Sequence, residues 1–384
     1  MDFKFSKEQL DIRNAAKEFA IGEFTDRALE FDRTETFDFG IWKKATELGL
    51  VAVTVDEEYG GLGLGRTEVC LIAEEFWAVD GGIAVSIAST AFGCDLLQKF
   101  GTEEQKRKYL SPLPIGESIM GSAITEPDAG SDIANASTTA VREGNEYVIN
   151  GSKMFITNGD VADYLMVFCK TNPDNPKKHE QFSVIIVETD RPGYEATKLQ
   201  GKLGIRASHT TEVSFNNVRV PVANLVGEKE GGGFKHIVYQ FNMSRVNVSA
   251  GAVGIARSAL EESIKYTKKR YVFGAPLASF QVTQFKLAEM STYISAARNL
   301  TYEAAWAIDN GNVDPSLIAK SKWFSAQMAV RCADEALQLQ GGYGYLDESK
   351  VQRIFRDAKI LEIYEGTKEI EKIIIARALL GKIR

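Results

Sequence analysis

Cysteine and histidine are scarce in this 384-residue chain, and charge of one sign and long apolar runs are missing. The four cysteines, Cys70, Cys94, Cys169 and Cys332, stand far apart with no CxxC pair, and three sit in apolar stretches such as 165–169. This pattern reads as reduced, buried thiols rather than a disulfide framework. The three histidines, His179, His209 and His236, have no HExxH or CxxC companion, so no metal site is expected. Lys and Arg number 45 against 52 Asp and Glu, a net charge of −7, so no positive field invites nucleic acid. No stretch of about 18 apolar residues occurs, which excludes a helical membrane span. The N-terminal residues alternate charged and apolar side chains without an apolar leader or an Arg-rich transit pattern, so a cytoplasmic protein beginning here is expected.

What is present is the balance of a globular protein: 44% hydrophobic, 25% charged and 10% aromatic residues, enough to bury a core over two to four domains. Ser6 with Gln9 forms a capping box that opens an amphipathic helix through Leu10, Ala16, Phe19, Ala20 and Phe24. Helical spacing returns near 39–48, 66–77 and 83–100, and Thr102 with Gln105 makes a second capping box before Pro112 and Pro114 close the run. The glycine cluster 60–65 lacks the last Gly of GxGxxG and a preceding strand, so it reads as a loop between helices.

From about Ile119 the periodicity changes to short β-branched and aromatic runs at 147–149, 164–169, 182–187 and 211–215, the last turning at Asn216-Asn217. Beyond Phe234, four long helices are expected over 235–270, 281–310, 315–340 and 350–380, lengths that suit an antiparallel four-helix bundle. The fold class is therefore α+β multidomain: an N-terminal helical domain (1–118), a middle β domain (119–233) and a C-terminal helical bundle (234–384).

No GxSxG elbow or P-loop lysine is present, which leaves hydrolase and phosphoryl-transfer chemistry without support. Four segments instead resemble the acyl-CoA dehydrogenase family: Ala123-Ile-Thr-Glu-Pro-Asp-Ala-Gly-Ser-Asp132, Asn150-Gly-Ser-Lys-Met-Phe-Ile-Thr-Asn-Gly159, Gln338-Leu-Gln-Gly-Gly-Tyr-Gly344 and Arg356-Asp-Ala-Lys-Ile-Leu-Glu-Ile-Tyr-Glu-Gly-Thr367. Their order and spacing match as well, and the likeness runs over essentially the whole chain.

The resemblance implies FAD as cofactor and α,β-desaturation of an acyl-CoA thioester, with Glu365 as the base that takes the Cα proton. Tyr364 and Gly366 flank it at the substrate, and Thr367 and Glu369 open the next helix toward the cofactor. It places Thr125, Ser131, Phe155 and Thr157 at the flavin; many relatives carry Trp where Phe155 stands. Arg270, Phe273, Gln281, Gln338 and Gly342 are implied at the pyrophosphate, approached from a neighbouring subunit of a homotetramer. Ser131, Asn242 and Arg245 fall at coenzyme A positions, although Asn242 stands where many members have Asp. The implied electron acceptor is electron-transferring flavoprotein. An oxidase that returns electrons to oxygen and a helical scaffold that has lost the chemistry are the alternatives.

One acid departs from the family pattern. Asp95 lies on the helix that lines the acyl pocket in relatives, where it would serve as a second base or as a polar reader of the substrate. No arginine lies between Gly81 and Gly101, which argues against a dicarboxylic acyl group. A short, branched or alicyclic acyl chain is expected.

Overall fold

The structure, a computed structural model, describes residues 4–381; residues 1–3 and 382–384, the outer ends of the first and third expected domains, lie outside them. Seven helices come first: α1 (Lys7–Phe24), α2 (Ala28–Thr34), α3 (Phe39–Glu47), α4 (Arg66–Val79), α5 (Gly81–Ala88), α6 (Cys94–Phe100) and α7 (Glu103–Tyr109). Both capping boxes form. Ser6 Oγ accepts from the Gln9 N–H and Gln9 Oε1 accepts from the Ser6 N–H, and Thr102 and Gln105 repeat the exchange. The single helix expected over 83–100 is two helices, because Gly93 at φ 128 breaks it where a Cβ would meet Met166 and Met120.

Seven strands follow: β1 (Met120–Ala123), β2 (Thr139–Glu143), β3 (Glu146–Thr157), β4 (Tyr164–Lys170), β5 (Phe182–Glu188), β6 (Tyr194–Lys198) and β7 (Thr210–Pro221). They form one sheet in the order β1-β4-β2-β3-β7-β6, with β5 on the other side of β4. β1 runs parallel to β4, and β2, β3, β7 and β6 pair antiparallel. The turn expected at Asn216-Asn217 does not occur. β7 runs through it as a bulge, with Asn217 at φ 54 and its N–H donating to Asn150 Oδ1 at 2.9 Å.

The last region holds α8 (Gly233–Lys269), a two-strand hairpin β8 (Tyr271–Val272) and β9 (Ala275–Pro276), then α9 (Gln281–Asp309), α10 (Pro315–Gln340), α11 (Lys350–Ile360) and α12 (Lys368–Leu380). The helix expected over 350–380 is thus two helices with a turn at residues 361–366 between them. α8 joins the two helical regions. A Cβ on its Gly254 would lie 2.4 Å from the Glu74 carbonyl, and one on Gly251 would lie 2.9 Å from the Trp77 ring, so α4 packs in close contact along it. One apolar core runs from α1 through the sheet to α11. Among the described residues, no helix is long and apolar enough to cross a membrane and no group of three His, Cys, Asp or Glu could hold a metal.

Candidate active site

The turn between α11 and α12 is held from several sides. Arg356 on α11 grips Asp32 of α2 with both terminal nitrogens, at 3.0 and 2.6 Å, and Arg353 Nε meets Asp80 at 2.8 Å. Asp357 accepts the Ile205 N–H at 2.6 Å, and Gly204 lies so near α11 that a Cβ would sit 2.4 Å from the Arg356 carbonyl. Much of the 356–367 motif therefore ties both helical regions and the sheet region to the one turn that carries Glu365.

Glu365 adopts φ 57, a left-handed conformation that costs a non-glycine residue about 1–3 kcal/mol and persists only when its surroundings enforce it. They do. Arg245 Nε donates to the Glu365 carbonyl at 2.8 Å, Lys322 Nζ donates to the Gly366 carbonyl, and Thr367 caps α12 through the Ile370 N–H. Gly366, at φ 104, has room for no side chain, since a Cβ would lie 2.3 Å from Glu371 Oε1.

The Glu365 carboxyl itself receives one hydrogen bond, from Ser244 Oγ to Oε2 at 2.5 Å. Burial pushes its pKa above the usual carboxylate range, and Ser244, Arg245 and Lys322 oppose that rise only in part. The partly buried Tyr364 packs against the core beside it, and its hydroxyl is likewise pushed up by burial. Glu369 is exposed in the first turn of α12.

Asp95 is held in an ion pair of its own. Its carboxylate accepts from Arg66 Nη2 at 2.6 Å and from Thr54 Oγ1 at 3.1 Å, and the cations acting on Glu365 are Arg245 and Lys322. Arg66 is buried at 5% exposure, and its Nη1 reaches Asn247 Oδ1 at 3.1 Å. This arginine comes from α4, outside the 81–101 segment that holds none.

The two motifs assigned to the flavin meet through a buried ion pair. Lys153 Nζ donates to Glu126 Oε1 and to the Ile124 carbonyl, both at 2.9 Å, and Met154 N–H donates to the Thr125 carbonyl at 2.8 Å. Glu126 also accepts from the Ser137 and Thr138 N–H groups. Desolvation would raise the Glu126 pKa, but Lys153 and these donors outweigh it and bring it to about 2. A register shift in β3 between Lys153 and Ile156 leaves Phe155 at φ 61 and 66% exposed, so the aromatic face is turned out of the sheet. Thr125 and Thr157 are half-buried nearby in sequence, and Ser131 is exposed.

Arg270, Gln338 and Gly342 line one groove of about 560 Å³ with Tyr343 and Leu346. Phe273 stands 99% exposed at the tip of the β8–β9 hairpin, with Phe273 at φ 50 and Gly274 at φ 80 forming a two-residue turn. Gln281 is exposed at the start of α9. Arg245, expected at coenzyme A, is buried with its Nε on the Glu365 carbonyl, and the buried Asn242 Oδ1 has no partner among the described residues. Ser244, Lys322, Glu371, Arg66 and Asn247 are not assigned from sequence, although Ser244 lies between Asn242 and Arg245.

The descriptions "Acyl-CoA dehydrogenase, N-terminal domain", "middle domain" and "C-terminal domain" match residues 6–117, 121–218 and 231–380. A probable acyl-CoA dehydrogenase of Bacillus subtilis is 42% identical over 99% of this chain and 100% of its own. A short-chain-specific acyl-CoA dehydrogenase of Clostridium acetobutylicum is 41% identical, covering both chains fully. The solved butyryl-CoA dehydrogenase of Megasphaera elsdenii superposes with a TM-score of 0.95 at 37% identity, over 99% of this chain and 100% of that one. With the site's geometry, these matches establish that the chain belongs to the acyl-CoA dehydrogenase family of FAD-dependent oxidoreductases.

Proposed function

We propose that this acyl-CoA dehydrogenase desaturates a short, branched or alicyclic acyl-CoA thioester, with Glu365 removing the Cα proton. The observation that carries this reading is the Glu365 carboxyl: half-buried, raised in pKa, given one hydrogen bond and fixed by a strained turn. A carboxyl whose pKa is raised by burial suits proton abstraction. Arg245 and Lys322 hold the turn, so that the carboxylate meets the substrate in one geometry.

The residues present fit FAD. Phe155 offers an exposed aromatic face, with Thr125, Ser131 and Thr157 on the same motifs. Arg270, Gln338 and Gly342 line a groove with an arginine fork for phosphate; Phe273, Gln281, Thr367 and Glu369 are assigned to the cofactor with them. When bound, FAD supplies the acceptor for the hydride that leaves Cβ. Gly342 has open space where a Cβ would be, which suits close approach of a phosphate.

Asn242, with its orphaned Oδ1, and Ser131 are assigned to coenzyme A. Asp95 is assigned to reading the acyl group rather than to base chemistry, because Arg66 neutralises it and Asn247, which holds Arg66, lies one turn along α8 from Ser244. The short-chain and butyryl names of two relatives favour a small acyl group. We assign electron-transferring flavoprotein as acceptor, a homotetramer as the assembly and the cytoplasm as location, as in the family the chain resembles. A panel of butyryl-, octanoyl- and cyclohexanecarboxyl-CoA, followed by loss of flavin colour without oxygen, tests the reading. Octanoyl-CoA as the best substrate overturns the acyl assignment, and rapid reoxidation by air with peroxide release overturns the dehydrogenase reading in favour of an oxidase.

A further inference from the structure

Glu371 on α12 is the most deeply buried acid near the active-site turn, with no exposed surface. Its Oε1 lies 3.0 Å from Arg245 Nε, but that N–H donates to the Glu365 carbonyl, and neither Glu371 oxygen receives a hydrogen bond. An acid in such a place costs more than an amide of the same size unless its charge has a use.

We propose that Glu371 is a positioning residue for the Glu365 turn, holding Arg245 and Lys322 in place and balancing their charge beneath the base. The inference rests on the reading of Glu365 as that base. The charged groups around Glu371 come from three further elements: Arg245 from α8, Lys322 from α10, and Glu365 from the turn, with Glu362 of the same turn acting on Lys322. Arg245 and Lys322 each bond one carbonyl of the turn, at Glu365 and at Gly366, and Glu371 stands against both. The close approach of Glu371 Oε1 is also what bars a side chain from position 366.

The charge count explains an acid here. With Glu365 and Glu371 ionised, two anions face two cations. When the proton leaves substrate Cα for the Glu365 carboxylate, one anion is lost, and Glu371 leaves a single excess positive charge. With an amide at 371 the same step leaves Arg245 and Lys322 without either of these two anions, so Glu365 accepts the proton less readily. Desolvation raises Glu371 to about 7 and lowers Lys322 to about 8, so the cluster is responsive near neutral pH.

The test uses the full-length, FAD-loaded enzyme with Glu371→Gln and Lys322→Met variants. The first removes a negative neighbour of Glu365 and the second a positive one. The acid limb of kcat/KM against pH is expected to move down by about one pH unit in Glu371→Gln and up in Lys322→Met, the size a close charge produces. A second readout, independent of turnover, is proton uptake on binding an unreactive thioether analogue of acyl-CoA, by calorimetry in two buffers at pH 7. Uptake is expected to fall in Glu371→Gln and rise in Lys322→Met. Acid limbs and proton uptake that coincide with wild type overturn the inference, since a merely space-filling Glu371 moves neither. Should Glu371→Gln fail to fold, Glu371→Met, which also removes the charge, is read in the same two measurements and decides it. A Glu365→Gln control separates the two failures: retained turnover there defeats the base reading and this inference with it, whereas lost turnover with unmoved profiles defeats the Glu371 role alone.

Discussion

Ser244 Oγ, on the long helix α8, donates to Glu365 Oε2 at 2.5 Å and is the one hydrogen-bond donor to that carboxylate within the described residues. The bond favours the ionised form, against the burial that raises the Glu365 pKa. A hydrogen bond to a charged group is worth about 1.5–3 kcal/mol, and about 1.4 kcal/mol corresponds to one pH unit. Ser244→Ala is therefore expected to move the acid limb of the pH–rate profile up by about one unit. An unmoved limb would show that this bond does not set the ionisation of Glu365.

The two glycines of the site give opposite expectations. Gly366→Ala places a Cβ 2.3 Å from Glu371 Oε1 at a φ of 104, so turnover should fall more than about tenfold and stability by about 1–3 kcal/mol. Gly342→Ala meets nothing within 4 Å, so its unfolding free energy should stay within about 0.5 kcal/mol of wild type while retained flavin falls. Urea unfolding and flavin absorbance per subunit after gel filtration measure both. Full flavin retention in Gly342→Ala would remove that glycine from the phosphate site.

Acid should release the link between the 123–132 and 150–159 motifs. Glu126, ordinarily near 4.5, is brought to about 2 chiefly by Lys153 once the cost of burial is overcome. A depressed carboxyl contributes stability that is complete above the ordinary value and is lost as pH falls through the native one. Glu126→Gln leaves Lys153 buried without its partner and should cost about 3–5 kcal/mol near neutral pH. That gap should narrow as pH falls from about 4.5 toward about 2. Urea titrations across this range check it, and a gap independent of pH would contradict it.

Asp95 and Glu365 should part company on mutation. Asp95→Asn leaves Arg66 buried with its charge uncompensated, so a loss of about 3 kcal/mol in unfolding free energy is expected, with turnover retained for any acyl-CoA that still binds. Unchanged stability with turnover lost as fully as in a Glu365 variant would make Asp95 a base after all.

The features legible in the sequence were local. Ser6 with Gln9 and Thr102 with Gln105 satisfy donors three residues away, and the short, continuous apolar runs of β4 and β5 mark fully buried strands. β1 escaped notice because Met-Gly-Ser-Ala holds no β-branched residue and owes its conformation to pairing with β4. The break at 361–366 does not show in the helical pattern because Leu361, Glu362 and Glu365 are good helix formers, and the contacts that force Glu365 left-handed come from α8 and α10. Glu365 and the cofactor positions were read from motif likeness. Ser244, Lys322 and Glu371 surround Glu365 through contacts that span up to 121 residues, and no local pattern announces them. Asp95 stood out as an odd acid, but its meaning changed once Arg66 was found beside it.

The most direct measurement mixes FAD-loaded Glu365→Gln with a short-chain acyl-CoA in the absence of oxygen and follows the flavin absorbance in a stopped-flow cell. The account predicts that the acyl-CoA still binds while the rate of bleaching falls by about 10²–10⁴, the contribution of a positioned general base. Bleaching at a rate near that of the wild type would contradict it.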